Sequence, residues 1–351
     1  MVDCEKLHEQ CATLPHERVQ VMEICGTHTM AIARSGLRRL LPEKLKLISG
    51  PGCPVCVTDQ SYMDQAVMLA RTSGVVIATY GDMVRVPGRH GSLADARATG
   101  AKVEVVYSAD QAVDVAVRMP DMQVVFLGVG FETTTPGTAL AVLRARDEDV
   151  KNFSVLTAHK LLLPAMRALL STQEVAVDGF LCPGHVSVIL GTRAYDEIVE
   201  AYHKPCVVAG FDPAQVVAGI EEILDQLIQG RPRACSVYKS VSDTGNQAAA
   251  AVIEKAFEPA DAPWRALGVI PQSGMTLREE LADFDAVKRF DLPMMESYDL
   301  PGCCCGQVIC GKCAPMDCPM FAVECTPREP IGPCMVSSEG ACAAAYKYEL
   351  R

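Results

Sequence analysis

Between Leu45 and about Lys239 the chain alternates short β-branched apolar runs with longer segments whose apolar residues recur at helical spacing. Apolar runs of about four to eight residues bounded by Gly, Pro or Asp predict buried strands, and longer amphipathic stretches predict helices packed on them. The strands expected are 45–49, 75–80, 103–107, 124–127, 154–157, 179–181 and 206–209; the helices include 62–72, 109–118, 137–146, 161–170 and 214–229. A further apolar run, 19–24, precedes them. Strands alternating with helices form parallel sheets covered by their crossovers, so the expected fold class is α/β.

A weak internal echo suggests two related lobes. Pro51-Gly52-Cys53-Pro54-Val55-Cys56 runs into Tyr62-Met63-Asp64, and Pro183-Gly184-His185-Val186-Ser187 runs into Tyr195-Asp196. Cys25-Gly26-Thr27-His28-Thr29 precedes the first motif and Phe131-Glu132-Thr133-Thr134-Thr135-Pro136 the second, each after an apolar run. Loop-forming Gly, Pro and Thr also produce such echoes by chance. The organisation expected is one parallel-sheet lobe at 20–120, a second at 121–230, and a third, irregular domain at 231–351 together with 1–19. After Arg231-Pro232-Arg233, Pro259, Pro263, Pro271, Pro293 and Pro301 interrupt any long periodic element.

With 351 residues, 49% hydrophobic and 21% charged, the chain has room for several cores. A formal net charge of −11 and the lack of a long basic run argue against nucleic acid as a partner. The polar N-terminal segment lacks the apolar core of a secretory leader, so the expected location is cytoplasmic. No apolar stretch approaches the ~20 residues that span a bilayer, so no membrane association is expected.

Seventeen cysteines in a reducing compartment point to metal or redox chemistry rather than to a disulfide framework. Nine of them lie between Cys303 and Cys342, whereas Ser236 to Gly302 holds none. That tail is rich in Cys, Pro and Gly and poor in bulky apolar residues, so bound metal is expected to organise it. Thiolates select zinc, copper(I) or iron–sulfur clusters. A zinc site on Cys310-x2-Cys313 plus two further thiols is the plainer assignment. The wider steps from Cys303 to Cys318, Cys325 and Cys342, with 14, 6 and 16 residues between them, suit an iron–sulfur cluster, whose irons spread over a larger body.

Cys53-Pro54-Val55-Cys56 sits where a strand ends and a helix begins, a position that favours the thiolate. Such a pair also closes a disulfide and stores two electrons, although a C-x-x-C pair alone is equally compatible with zinc. Cys25 and His28 follow the 19–24 run in the same manner. If the two strand ends are neighbours, Cys25, His28, Cys53 and Cys56 face one cleft beyond the carboxyl ends of a parallel sheet. Glu132 is a candidate acid, base or orienting group, against N-capping by its threonines. His185 has the same standing as Glu132, and His90 and Asp82 are weaker candidates. Gly128-Val129-Gly130 lacks the third glycine of the dinucleotide fingerprint, and no phosphate loop or Gly-x-Ser-x-Gly is present.

Taken together, Cys25-Gly-Thr-His-Thr29, Gly50-Pro-Gly-Cys-Pro-Val-Cys56, Gly130-Phe-Glu-Thr-Thr-Thr-Pro136, Pro183-Gly-His-Val-Ser187 and the Cys318 to Cys342 tail resemble the HypD family of nickel–iron hydrogenase maturation proteins, over essentially the full length. The resemblance implies two α/β lobes around a cleft and a third domain holding a 4Fe-4S cluster. By motif position it implies Cys303, Cys318, Cys325 and Cys342 as cluster ligands and Cys25, Cys53 and Cys56 at the cleft. Cys304, Cys310 and Cys313 lie beyond the family pattern; Cys305 and Cys313 are alternatives to Cys303, and Cys334 is close enough to compete.

The family's function implies a scaffold for the Fe(CN)2CO moiety, whose iron carries cyanide and carbon monoxide. It also implies a complex with the small chaperone HypC and cyanide groups supplied through HypE. In that scheme Cys25 holds the substrate iron, Cys53 and Cys56 pass electrons, and His28 and Glu132 orient or protonate ligands. The competing expectations are an iron–sulfur-dependent thiol–disulfide oxidoreductase and a zinc-stabilised scaffold.

Overall fold

The computed structural model describes residues 4–172 and 174–350; residues 1–3 of the N-terminal segment and residue 351 of the tail lie outside the described residues. Among the described residues there are eleven strands: β1 (Val19–Glu23), β2 (Leu45–Ser49), β3 (Val75–Thr79), β4 (Lys102–Val105), β5 (Gln123–Gly130), β6 (Phe153–His159), β7 (Gly179–Pro183), β8 (Cys206–Ala209), β9 (Ala234–Ser236), β10 (Phe257–Trp264) and β11 (Gly268–Leu277). One sheet has the order β2-β1-β7-β8-β9 and a second the order β4-β3-β5-β6. Every pairing in both is parallel. The fold class is α/β, as the alternation implied. β3, β7 and β8 are buried at every position, and so read as continuous apolar runs rather than alternating ones.

Sheet membership cuts across the expected division between residues 120 and 121. The first sheet takes β1 and β2 from the early chain and β7 to β9 from the late chain, while β3 to β6 form the second. The two Pro-Gly motifs follow β2 and β7, which flank β1 in one sheet, rather than equivalent strands of separate lobes. Apolar periodicity identifies strands but carries no record of which strand pairs with which.

The helices form near their expected positions with recognisable ends. Gln60–Ala70 begins after Asp59, whose carboxylate accepts from Ser61 N; Pro213–Gln229 starts on proline and stops at Gly230 in the left-handed region. Helix Glu5–Thr13 packs on Pro213–Gln229, where Gln10 Nε2 donates to Glu221 O at 3.0 Å and Lys6 pairs with Glu221. It therefore sits with the first sheet, on the helix that precedes β9.

The antiparallel pair β10–β11 lies in a stretch whose prolines gave no strand signal. Pro259, Pro263 and Pro271 are tolerated because a two-stranded ribbon leaves outward positions with no ladder bond to lose. The ribbon is tied to the second sheet by a bridge between Lys160 and Gly274, and its lone tryptophan, Trp264, is buried and donates from Nε1 to Ser273 Oγ at 2.8 Å. From 286 to 350 only short helices occur, and the last, Ala341–Tyr348, packs on Gly26–Ser35. Among the described residues no helix is long and apolar enough to cross a membrane.

Candidate thiol and metal centre

The loops after β1 and β2 bring three cysteines together at the carboxyl ends of adjacent strands. Cys25 is the N-cap of helix Gly26–Ser35, and Cys53 is the N-cap of the short helix Pro54–Val57. Gly26 N donates to Gly52 O at 3.2 Å, and Gly50 N donates to Glu23 O at 2.8 Å, so the two loops are fastened side by side. A Cβ on Gly52 would lie 2.2 Å from Cys25 N and from the Ile24 carbonyl carbon, so only glycine permits this approach.

Cys53 and Cys56 form a disulfide with Cα atoms 5.2 Å apart. Cys56 N also donates to Cys53 Sγ at 3.2 Å. Cys25 is a free, buried thiol. Burial is the dominant influence and pushes it up to about 12, against a smaller opposite effect from the backbone N–H groups of His28 and Thr27. In this environment the thiol keeps its proton unless a metal replaces it.

His28 is fully buried. Its Nε2 lies 3.0 Å from Gly210 O and 3.2 Å from Ala209 O, both acceptors, so Nε2 carries the hydrogen and Nδ1 the lone pair. Nδ1 has no partner, and burial lowers the ring's pKa to about 4, keeping it neutral. Phe211 separates it from exposed His185, with ring centroids 5.0 and 4.2 Å away respectively. Glu132 follows β5 of the other sheet. Its Oε1 accepts from Leu162 N at 2.8 Å at the start of helix Leu162–Thr172, its Oε2 is unpartnered, and burial raises its pKa to about 7. The carboxylate thus binds the start of helix Leu162–Thr172, while Thr134, the N-cap of helix Thr135–Asp147, makes no side-chain cap bond.

A loop from the tail covers the thiol pair. Ser337 Oγ lies 3.3 Å from Cys53 Sγ, and Thr27 Oγ1 donates to Glu339 Oε1 at 2.5 Å. Asp82 clamps this loop, accepting from Ser338 N at 2.7 Å and Ser338 Oγ at 2.8 Å. His90 is exposed, and its carbonyl accepts from Arg71.

Six tail sulfurs, those of Cys303, Cys305, Cys318, Cys325, Cys334 and Cys342, line one small cavity closed by Met320, Phe321 and Met335. Cys305 and Cys334 have their Sγ atoms 3.0 Å apart. Thiol donation from Cys303 and then Cys334, with a smaller effect from the Arg265 charge, holds Cys305 well below the usual thiol range. Backbone N–H groups also point at sulfur, Ile331 N to Cys325 Sγ at 3.3 Å and Cys305 N to Cys303 Sγ at 3.4 Å. Among the described residues no three Cys, His, Asp or Glu side chains converge closely enough for a single metal ion. A ring of soft donors with an apolar lining and N–H···S bonds fits a polynuclear iron–sulfur cluster. Cys313 lines a different cavity, beside Lys312 and Arg38, although its thiol is close enough to Cys318 and Cys342 to be influenced by their charges.

The two sulfur sites are neighbours. Helix Pro54–Val57 packs directly on Cys305–Ile309 and on Pro333–Val336, which carries Cys334. Sequence reasoning passed over Arg265, which is buried here and donates from Nε to Cys56 O at 2.9 Å and from Nη2 to Thr58 O at 2.7 Å. Its only sequence signal was its place beside the single tryptophan.

A family model for HypD, described as the hydrogenase formation hypA family, matches residues 3–349. The hydrogenase maturation factor HypD of Cupriavidus necator is 44% identical over 350 residues, spanning 97% of this chain and 92% of the relative. Its counterpart in Escherichia coli is 43% identical over 349 residues, with 98% and 94% covered. That of Rhodobacter capsulatus is 40% identical over 354 residues, with 99% and 94% covered.

Proposed function

Because the chain belongs to the HypD family of hydrogenase maturation factors, we propose that it is a cytoplasmic scaffold on which the Fe(CN)2CO moiety of a nickel–iron hydrogenase is assembled, with a redox role for its thiols. The observation that carries this reading is the placement of Cys25, a free thiol on one loop, against the Cys53–Cys56 disulfide on the next, with a sulfur-lined cavity behind them.

Cys25 holds the substrate iron. Loss of its proton on metal binding leaves a thiolate faced by the N–H groups of Thr27 and His28, a soft ligand compatible with cyanide and carbon monoxide on the same iron. Neutral His28 presents the Nδ1 lone pair to accept a hydrogen bond or a proton, while Nε2 anchors it to the end of β8. Glu132, with a pKa near neutrality, exchanges a proton at Oε2. The disulfide takes up two electrons and one proton as it opens, giving one thiol and one thiolate.

In this reading the tail from Cys303 is the iron–sulfur domain, with a 4Fe-4S cluster held by Cys303, Cys305 or Cys313 together with Cys318, Cys325 and Cys342. The cluster, when bound, supplies one-electron transfer. HypC, as the chaperone that shares the iron, and HypE, as the source of cyanide groups, are the partners proposed. A thiol–disulfide oxidoreductase acting on protein disulfides fits less well, since Cys53 and Cys56 are 5% and 0% exposed.

The test is the infrared spectrum of anaerobically purified protein, co-produced with its partners, in the region of cyanide and carbon monoxide stretches. Both bands are expected in the wild type and neither in Cys25→Ala, with the visible absorption of the tail retained. Ligand bands persisting in Cys25→Ala would contradict the assignment.

A further inference from the structure

The turn joining β10 to β11 enters between the two sulfur sites. Ala266 and Gly268 take positive φ angles of 63° and 71° to make it, and a Cβ added at Gly306 would lie 2.5 Å from Ala266 Cβ. The turn therefore rests on the helix that begins at Cys305, while Arg265 N donates to Val57 O at 2.9 Å on the other side. Arg265 is 4% exposed and, among the described residues, pairs with no carboxylate; its two hydrogen bonds go to the neutral carbonyls of Cys56 and Thr58. A guanidinium does not lose its proton in a protein, and a buried charge without a counter-charge is costly. The charge already acts on the Cys305 thiol on one side; on the other it is bonded to the carbonyl of Cys56 itself, so opening the Cys53–Cys56 bond releases a thiolate within the segment it holds.

We propose that Arg265 is the positioning cation of the Cys53/Cys56 couple, present to favour the reduced, thiolate-bearing form and so to make the disulfide a ready electron acceptor. The inference rests on the redox role proposed above for that pair. With a dithiol as reductant, the Cys53–Cys56 bond breaks and a disulfide forms in the reductant. One cysteine keeps a proton, the other remains a thiolate beside Arg265, and the second proton goes to solvent. The carbonyl bonds fix where the charge sits, and the charge biases the equilibrium.

The experiment equilibrates the full-length protein, without oxygen, in buffers of graded reduced-to-oxidised dithiothreitol, then alkylates it and reads the Cys53 and Cys56 peptides by mass spectrometry. Arg265→Met is expected to lower the equilibrium constant for reduction about tenfold, ~30 mV for a two-electron couple. Arg265→Lys, which keeps the charge, is expected to remain within about twofold of the wild type. The alkylation rate of the reduced pair should also reach half its maximum at higher pH in Arg265→Met. Arg265→Gln, which keeps a donor for the carbonyls without the charge, replaces the Met variant if that does not fold, with the same expectation. A wild-type pair that never titrates defeats the redox reading itself. A wild-type pair that titrates, with the neutral variants superimposed on it or the Lys and neutral variants shifted alike, overturns the role of Arg265 alone. Failure of both neutral variants to fold, with Lys folded, assigns the cation to holding the fold and overturns it equally.

Discussion

Ser337 Oγ lies 3.3 Å from Cys53 Sγ, so a residue between Cys334 and Cys342 of the tail touches the thiol pair that follows β2. The tail is thus part of the cleft and not only a neighbour of it. Asp82, on the loop after β3, holds it there by accepting from Ser338 N and Oγ.

Asp82→Ala should therefore loosen the cover over Cys53 and Cys56. Hydrogen bonds to a charged group contribute roughly 1.5–3 kcal/mol each, so loss of both favours an open loop on the order of a hundredfold or more. The rate at which a water-soluble phosphine reduces the pair should rise accordingly, with the fold retained by circular dichroism. An unchanged rate would separate the loop from access to the disulfide.

Gly52→Ala should damage the centre by geometry alone. The new Cβ meets backbone atoms at 2.2 Å, which no rotamer change relieves. Overpacking of this kind costs about 1–3 kcal/mol or more, and the Cys25 loop must shift to accept it. Gly137→Ala is the control, because nothing lies within 4 Å of its Cβ position in helix Thr135–Asp147, and a gain of roughly 0.5–1 kcal/mol is expected. Urea midpoints of the two variants should move in opposite directions.

Glu132 should leave a signature in the pH dependence of stability. Burial raises its carboxyl from 4.5 to about 7, so between those values the folded protein holds a proton that the unfolded chain has lost. Its contribution then declines as pH rises across that window and stays low above it. Glu132→Gln removes this decline, so the variant should gain on the wild type by up to about 3 kcal/mol from pH 4.5 to 7.5. Burial lowers the pKa of His159 to about 3, which gives the opposite slope in acid, but it does so in both proteins and cancels in the difference. Parallel stability curves would contradict the buried carboxyl.

The sequence made the strand ends legible, and with them the neighbouring positions of Cys25 and Cys53, because buried parallel strands announce themselves as apolar runs and their loops as Gly and Pro. Strand order was not legible: the chain leaves the first sheet after β2 and returns at β7, and local periodicity holds no trace of that detour. Nor was the ribbon of β10 and β11, whose prolines mimic a loop. Arg265 escaped notice for the same reason, since its burial depends on where that ribbon's turn lands. Conversely, Cys313 and Cys303 were equivalent by spacing, and the two line different cavities.

The most direct test of the central claim, two separate iron sites with distinct thiols, is the count of iron and acid-labile sulfide per chain in anaerobically purified wild type, Cys25→Ala and Cys325→Ala. About four sulfides with at least as many irons are expected in the wild type. Cys25→Ala should keep the sulfide while losing any iron beyond it, and Cys325→Ala should lose the sulfide. Sulfide that disappears in Cys25→Ala, or zinc in place of iron and sulfide in the wild type, would contradict the account.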